Sequence, residues 1–318
     1  MTMPLSLVAD IGGTNTRVAL ARGPALLTDT IHRFRNAEYP DLETVLRHYL
    51  DGAAREPLAG ACVAVAGPVR NGVGKLTNLD WQIDTETLTR ASGAGTVAIL
   101  NDLQAQGYAL EHLAPGTFQR LLAGRPEGHD AVRLVIGVGT GFNAAAVLPA
   151  PSGFVVTAAE AGHVALPVEN EQDLEIARFV RGADEFAAVE DVLSGRGIAR
   201  LHAWVTTRAG EPQQASGVEV MEMLERGDSP AAEETVRLFA RCLGIVAGNL
   251  ALTFLPFGGI YLCGGVARAV APHLGRMGFA RAFYGKGRFT GMMQSFAVSE
   301  IGDDFAALTG CAAFLAKT

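Results

Sequence analysis

Apolar residues fall in short unbroken runs separated by glycine-rich turns. Leu5–Ala9 reads as a strand, and the alternation through Thr14–Ala21 predicts a second one behind it. Leu42, Val45, Leu46, Tyr49 and Leu50 recur at helical spacing within Asp41–Ala54. The run "GACVAVAGPV" (Gly60–Val69) predicts a buried strand closed by Gly67-Pro68, and "TVAILND" (Thr96–Asp102) another, followed by a helix over Leu103–Leu113. Ser229-Pro230 supplies a cap and a first-turn proline for a long core helix that Pro256 ends. Gly258–Ala267 is a strand bounded by glycine pairs, Gly291–Ala297 a further strand, and Asp304–Leu315 a final helix. Strands alternating with helices predict an α/β architecture.

"LVADIGGTN" (Leu7–Asn15) has an echo in "LVIGVGTGF" (Leu134–Phe142): each is an apolar strand running into a Gly/Thr turn. The echo predicts two lobes of similar design, each offering a loop to one ligand. No low-complexity tract or Pro/Ser-rich linker separates them, so the boundary is expected to be compact and near Tyr108–Leu113.

The chain has 318 residues, 49% hydrophobic and 19% charged, enough for one large or two medium domains. A net charge of −7 argues against sequence-independent nucleic-acid binding, which needs a basic footprint. Cys62, Cys242, Cys263 and Cys311 form no C-x-x-C pair and have no histidine at zinc spacing, so a reducing, cytoplasmic location is expected. The N-terminus lacks a basic segment followed by an apolar core, so no signal peptide is expected. The longest apolar stretch, Cys242–Leu255, carries Asn249 and is too short to span a bilayer, so no membrane partner is expected.

The turn loops carry the candidate chemistry. "GVGTGF" fails the dinucleotide fingerprint on spacing, and no P-loop pattern occurs. In "DIGGTN", Gly12 and Gly13 permit positive φ and let backbone N–H groups approach a phosphate, while Thr14 and Asn15 add donors. Asp10 would repel a bare phosphate and makes sense with Mg²⁺, or a water on it, in between. A plain tight hairpin is the equal alternative. Gly139, Thr140 and Gly141 offer a second phosphate loop.

"DIGGTN", "TNLDW", "LND", "GVGTGF", "EAGH", "EDVLSGRG", "FGGIYLCGG" and "KGRF" occur in the order found in bacterial glucokinases of the hexokinase-like, non-ROK group, which the chain resembles from end to end. The cysteine-rich zinc motif of ROK sugar kinases is missing. The resemblance implies the actin-like ATPase (ribonuclease H-like) fold, with two α/β lobes around an inter-lobe cleft: a small lobe over residues 1–110 and 302–318, and a large lobe over 111–301. It also implies ATP-dependent, Mg²⁺-requiring phosphorylation of glucose and a homodimer.

Phosphoryl transfer to a hydroxyl needs a neutralised γ-phosphate, an aligned acceptor and a place for its proton. Asp102 lies just beyond a strand and is assigned as the base for the 6-hydroxyl; alternatively it only caps the next helix. The resemblance places Asn101, Glu160, His163 and Glu190 on sugar hydroxyls, with Asn78 facing the sugar as well. On their own, His163 reads as a turn histidine, Glu190 as a solvated helix residue and Trp81 as packing. Gly264 and Gly265 would let backbone lie against the nucleotide, or simply make a strand-to-helix turn, and Arg288 would brace a loop. Two departures from the family pattern stand out: Ala161 precedes Gly162 where a glycine pair is usual, and Phe142-Asn143 replaces Leu-Gly after the second loop. Asn143 tolerates positive φ, so the turn is expected to survive. These changes leave two other readings open, a kinase for another hexose or amino sugar and a non-catalytic sugar sensor.

Overall fold

The computed structural model describes residues 3–53, 56–76, 81–125, 128, 130–151, 153–182 and 185–318. Its backbone divides into two compact units: Met1–Pro115 with Ala150–Ala158 and Asp303–Thr318, and Gly116–Pro149 with Ala159–Gly302.

The first unit opens with β1 (Leu5–Ile11) and β2 (Asn15–Arg22), a hairpin in register from Leu5↔Arg22 to Ile11↔Thr16. The short β3 (Ala25–Leu26) and β4 (His32–Arg35) both pair with β2. Helix α1 (Leu42–Ala53) leads to β5 (Gly60–Val65), which lies parallel to β1. A meander, β6 (Val69–Arg70), β7 (Val73–Lys75) and β8 (Gln82–Asp84), precedes α2 (Thr85–Ser92). Strand β9 (Thr96–Asn101) then adds parallel to β5, and α3 (Asp102–Ala109) follows directly.

Because β1 alternates between two covered faces, nearly every residue in it is apolar. Leu7, Ala9 and Ile11 pack with Leu42, Val45, Leu46 and Tyr49 of α1 and with Leu88 of α2. Val8, Cys62, Ala64 and Leu100 pack on the other face with Ala105 of α3 and with Ala307, Leu308, Cys311 and Ala312. Those last four lie on the final helix, so the sheet closes only when that segment arrives.

The second unit begins with β10 (Phe118–Leu122), β11 (Arg133–Val138) and β12 (Phe142–Ala150). After it the chain returns to the first unit for β13 (Gly153–Val156), whose Val156 carbonyl accepts from Gln104 Nε2 of α3 at 3.2 Å. Helices α4 (Glu171–Val180), α5 (Gly195–Arg208), α6 (Gly217–Arg226) and α7 (Pro230–Phe254) follow. Then come β14 (Ile260–Cys263), α8 (Gly265–Leu274), α9 (Phe279–Tyr284), α10 (Thr290–Met293) and β15 (Val298–Ile301). Within this unit β10, β15, β14, β11 and β12 lie side by side in that order. Strand β14 is parallel to both β11 and β15, and β12 is antiparallel to β11. Helix α11 (Ala306–Leu315) completes the first unit.

Each unit thus repeats one plan, a hairpin whose first strand is extended by parallel neighbours, which is the meaning of the echo between Leu7–Asn15 and Leu134–Phe142. Helix α7 is long and apolar enough to cross a membrane, but 67% of its most apolar window is buried inside the unit. Ser229 caps it through Ala232 N, with Pro230 in the first turn, as expected from the sequence.

The strand expected over Gly291–Ala297 is not formed. Thr290–Met293 makes a helical turn, and the strand is the next four residues, Val298–Ile301, all buried. Gly291, Met292 and Gln294 lack the β-branched shape that suits a pleated sheet, whereas Val298 and Ile301 have it. The helix expected over Leu103–Leu113 begins one residue earlier and ends at Ala109.

Candidate active site

In the first unit, the three parallel strands β1, β5 and β9 end together. Ile11 is level with Val65, and Val65 with Asn101. Asp10, Gly12, Gly67 and Asp102 therefore share the carboxyl edge of one sheet, the edge where α/β proteins hold ligands. Asp10 is on β1 and Asp102 follows the end of β9, two strand spacings away, about 10 Å.

Asp10 sits on the face that α11 covers, opposite Arg17 in the hairpin register. Arg17 Nη1 donates to Asp10 Oδ2 at 3.2 Å. Burial nevertheless dominates the arginine and pushes the carboxyl above the usual carboxylate range. A raised folded-state pKa means that this group's contribution to stability is present at low pH and lost as pH rises through that pKa. Asp10→Asn is therefore expected to melt at or above the wild-type temperature at pH 7, with the difference vanishing toward pH 3, while kcat/KM for the nucleotide falls. Melting followed by circular dichroism at both pH values checks this; a variant several degrees less stable at pH 7 would refute it. Arg17, a third exposed, stays solvated without its partner.

Among the described residues, no three His, Cys, Asp or Glu side chains gather into a metal cage. The Asp10 carboxylate, paired with Arg17, would suit Mg²⁺ that arrives with a nucleotide, since that ion typically takes one or two carboxylates and fills its shell with phosphates and water.

The Gly12–Asn15 turn is held by Gly12 N donating to Asn15 O at 3.0 Å. Asn36, which is fully buried, braces it from outside. Its Nδ2 donates to Gly12 O at 2.8 Å, its backbone N to Thr14 O at 2.9 Å, and its Oδ1 accepts from Thr16 Oγ1 at 2.8 Å. Gly13 and Thr14 are left exposed at the tip. Neither Gly12 nor Gly13 takes the positive φ that a glycine permits. The turn is made without that conformation, and Asn36 ties down its Gly12 and Thr14 carbonyls.

At the end of β9 the capping residue is Asn101, not Asp102. Asn101 Oδ1 accepts from Leu103 N at 3.0 Å, and Gln104 Oε1 accepts from Asn101 N at 3.1 Å, a reciprocal capping box. Asn101 Nδ2 donates to Gly67 O at 3.0 Å, so both ends of this buried amide are occupied within the protein. Asp102 follows as the first helical residue, half-buried, with Oδ1 accepting from Leu103 N at 2.9 Å. Asn78 lies outside the described residues. Trp81 is buried in the core against the sheet, as packing.

In the second unit the turn after β11 is closed by Gly139 N donating to Gly141 O and by Gly195 N donating to Gly139 O, both at 2.9 Å. The second bond brings the N-terminus of α5, capped by Ser194, against the turn. Thr140 is exposed at the tip. Gly137 is level with Cys263, so the turn and Gly264-Gly265 emerge side by side from parallel strands. Gly264 has φ +99°, and a Cβ there would lie 2.5 Å from Val138 O; it is the cap of α8, and Gly265 is the first residue of that helix. The N–H groups of two helix starts beside a glycine turn suit a phosphate chain.

Glu160, His163 and Glu190 are gathered by a short pairing of 164–166 with 187–189. Leu166 N donates to Ala187 O at 2.9 Å and Val189 N to Val164 O at 3.0 Å. Glu160 and His163 are exposed, and His163 N donates to Glu160 O at 3.1 Å. Glu190 Oε2 accepts from Phe142 N and Oε1 from Arg196 Nη2, both at 3.0 Å. A Cβ at Gly141 would overlap Glu190 Oε2, so a side chain there would displace this carboxylate. Arg288 stacks over the Phe289 ring at 5.1 Å.

Asn143 does not take a positive φ; it continues strand β12. Its side chain makes bonds that glycine could not. Asn36 and Asn143 are the two residues whose roles no local pattern announced. Each acts through contacts far along the chain, and only an asparagine flanked by apolar strand residues hinted at the second.

Known proteins share this fold. A glucokinase from an Antarctic psychrotroph superposes with a TM-score of 0.87 at 28% identity, covering 99% of this chain and 100% of that one. A ROK family glucokinase from Streptomyces griseus, solved with glucose and AMPPNP, has a TM-score of 0.67 at 21% identity, covering 98% of each chain. The fold is the actin-like ATPase fold of the sugar kinases. In sequence, the glucokinase of Chromobacterium violaceum is 33% identical over 313 residues, 98% of this chain and 89% of the relative. A family model described as Glucokinase matches residues 7–318, and the chain belongs to that family.

Proposed function

We propose that the protein transfers the terminal phosphoryl group of ATP to the 6-hydroxyl of D-glucose, giving ADP and glucose 6-phosphate, the first step of glycolysis. The observation that carries this reading is Asp102: a carboxylate fixed at the carboxyl end of a central strand, in a chain of the glucokinase family. The glucose and AMPPNP bound by the Streptomyces griseus glucokinase support both ligands.

Asp102 accepts the proton of the 6-hydroxyl as its oxygen attacks phosphorus, and the bond from Leu103 N fixes the direction of the carboxylate. In a loose phosphoryl-transfer transition state the protein acts chiefly by positioning and by neutralising charge. Glu160, His163 and Glu190 orient the sugar through its ring hydroxyls; Asn101 acts by holding Gly67 and the start of α3. The Gly12–Asn15 turn, Gly139–Gly141 and Gly264-Gly265 present N–H groups to the nucleotide. Bound with it, Mg²⁺ would neutralise phosphate charge, and Asp10 is the residue that would hold the ion or its water. None of the four cysteines is in a disulfide, which suits a reducing cytoplasm.

The test is an assay of purified protein with Mg-ATP, coupled to glucose 6-phosphate oxidation, across glucose, mannose, fructose and glucosamine, and with ADP and polyphosphate as alternative donors. Glucose is expected to give the highest kcat/KM with ATP. Absence of product from glucose would defeat the proposal, and faster turnover of another sugar would reassign the substrate.

A further inference from the structure

The segment Ala159–His163 lies directly on the first residues of β12. Gly162 packs so tightly on the Phe142 carbonyl that a side chain at 162 would overlap it. Beside that contact, Asn143 Nδ2 donates to Ala159 O at 2.6 Å, and Asn143 Oδ1 accepts from Ala161 N at 2.9 Å and from Ala144 N at 2.8 Å. The carboxamide can satisfy this set in one orientation only, since a flip would turn its NH₂ onto two N–H donors. The two bonds to the segment bracket Glu160. We propose that Asn143 is a positioning residue for sugar binding: its side chain clamps the backbone on both sides of Glu160 to strand β12, and so sets where Glu160 and His163 meet the hexose.

The clamp is separate from the phosphate-binding turn. That turn is closed by its own bonds, Gly139 N to Gly141 O and Gly195 N to Gly139 O, and Glu190 is held through Phe142 N rather than through Asn143. Loss of the carboxamide therefore loosens one substrate's site and spares the other. The inference rests on the reading of Glu160 and His163 as sugar ligands. It makes the departure from a glycine at this position a working part of the site rather than a sign of decay.

Asn143→Ala is the test, since β12 continues as Ala144, Ala145 and Ala146 and accepts alanine readily. The KM for glucose is expected to rise about tenfold, while the KM for ATP stays within about twofold and the melting temperature changes little. In amide hydrogen exchange, the Ala161 N–H should be protected in the wild type and exchange faster in the variant. A glucose KM within twofold of wild type, equal rises in both KM values, or a wild-type Ala161 amide that exchanges like open chain would each overturn the clamp. Wild-type protein that turns over no hexose would overturn the function itself, a distinct result seen before any variant is made.

Discussion

Asp102→Asn is expected to lower kcat by about 10²- to 10⁴-fold, the usual contribution of a positioned general base. The substitution keeps the shape of the side chain, and its carbonyl oxygen can still accept from Leu103 N, which the carboxylate accepts from at 2.9 Å. The helix start does not depend on it, because Asn101 and Gln104 make the capping box. What is lost is the negative charge and the basic lone pair. Glucose affinity by calorimetry should therefore stay within a few-fold of wild type while turnover collapses. A kcat within tenfold of wild type would remove Asp102 from the chemistry; loss of glucose binding along with kcat would make it a binding residue instead.

Gly310→Val is expected to cause the largest loss of stability. A Cβ at Gly310 would overlap the carbonyl of Ala105 on α3 outright. Neither helix can yield cheaply, because Ala105, Leu308, Cys311 and Ala312 are all buried in the same cluster with the sheet. Forcing side chains into a filled core costs about 1–3 kcal/mol, and here backbone must separate as well, so a loss of about 3 kcal/mol or more is expected. That corresponds to a fall in melting temperature of roughly 6 °C or more for a unit of this size. Gly275→Ala, at a position where a Cβ meets nothing within 4 Å, is the control and should shift melting by no more than about 2 °C. Equal melting temperatures for Gly310→Val and wild type would show that α3 and α11 do not need this contact.

The strands and helices with the strongest periodicity could be read from the sequence because burial on one or both faces left a direct imprint. Strand β1 is apolar throughout, and α7 is bounded by Ser229-Pro230 and Pro256. The error at Gly291–Ala297 arose where short apolar runs suit a helical turn and a strand equally well, and only register with β14 decides. At the candidate site the residue types were legible, but the division of labour between neighbours was not. Asn101 and Asp102 are adjacent and both can cap, and only the bond to Gly67 O fixes which one does. The glycines of "DIGGTN" permitted a left-handed turn without requiring one, and the brace that holds the turn is Asn36, twenty-four residues beyond Gly12. Asn143 could be seen as a departure, but its meaning depends on carbonyl and amide groups sixteen and eighteen residues away.

Helix α11 is translated after the whole of the second unit, yet it covers the sheet that β1 begins. On the ribosome, Val8, Cys62, Ala64 and Leu100 therefore present an uncovered apolar surface until residues 303–318 emerge. The second unit, with its own sheet and α7, has no such delay. Nascent chains stalled before Ala306 should accordingly hold one protease-resistant core, that of the second unit.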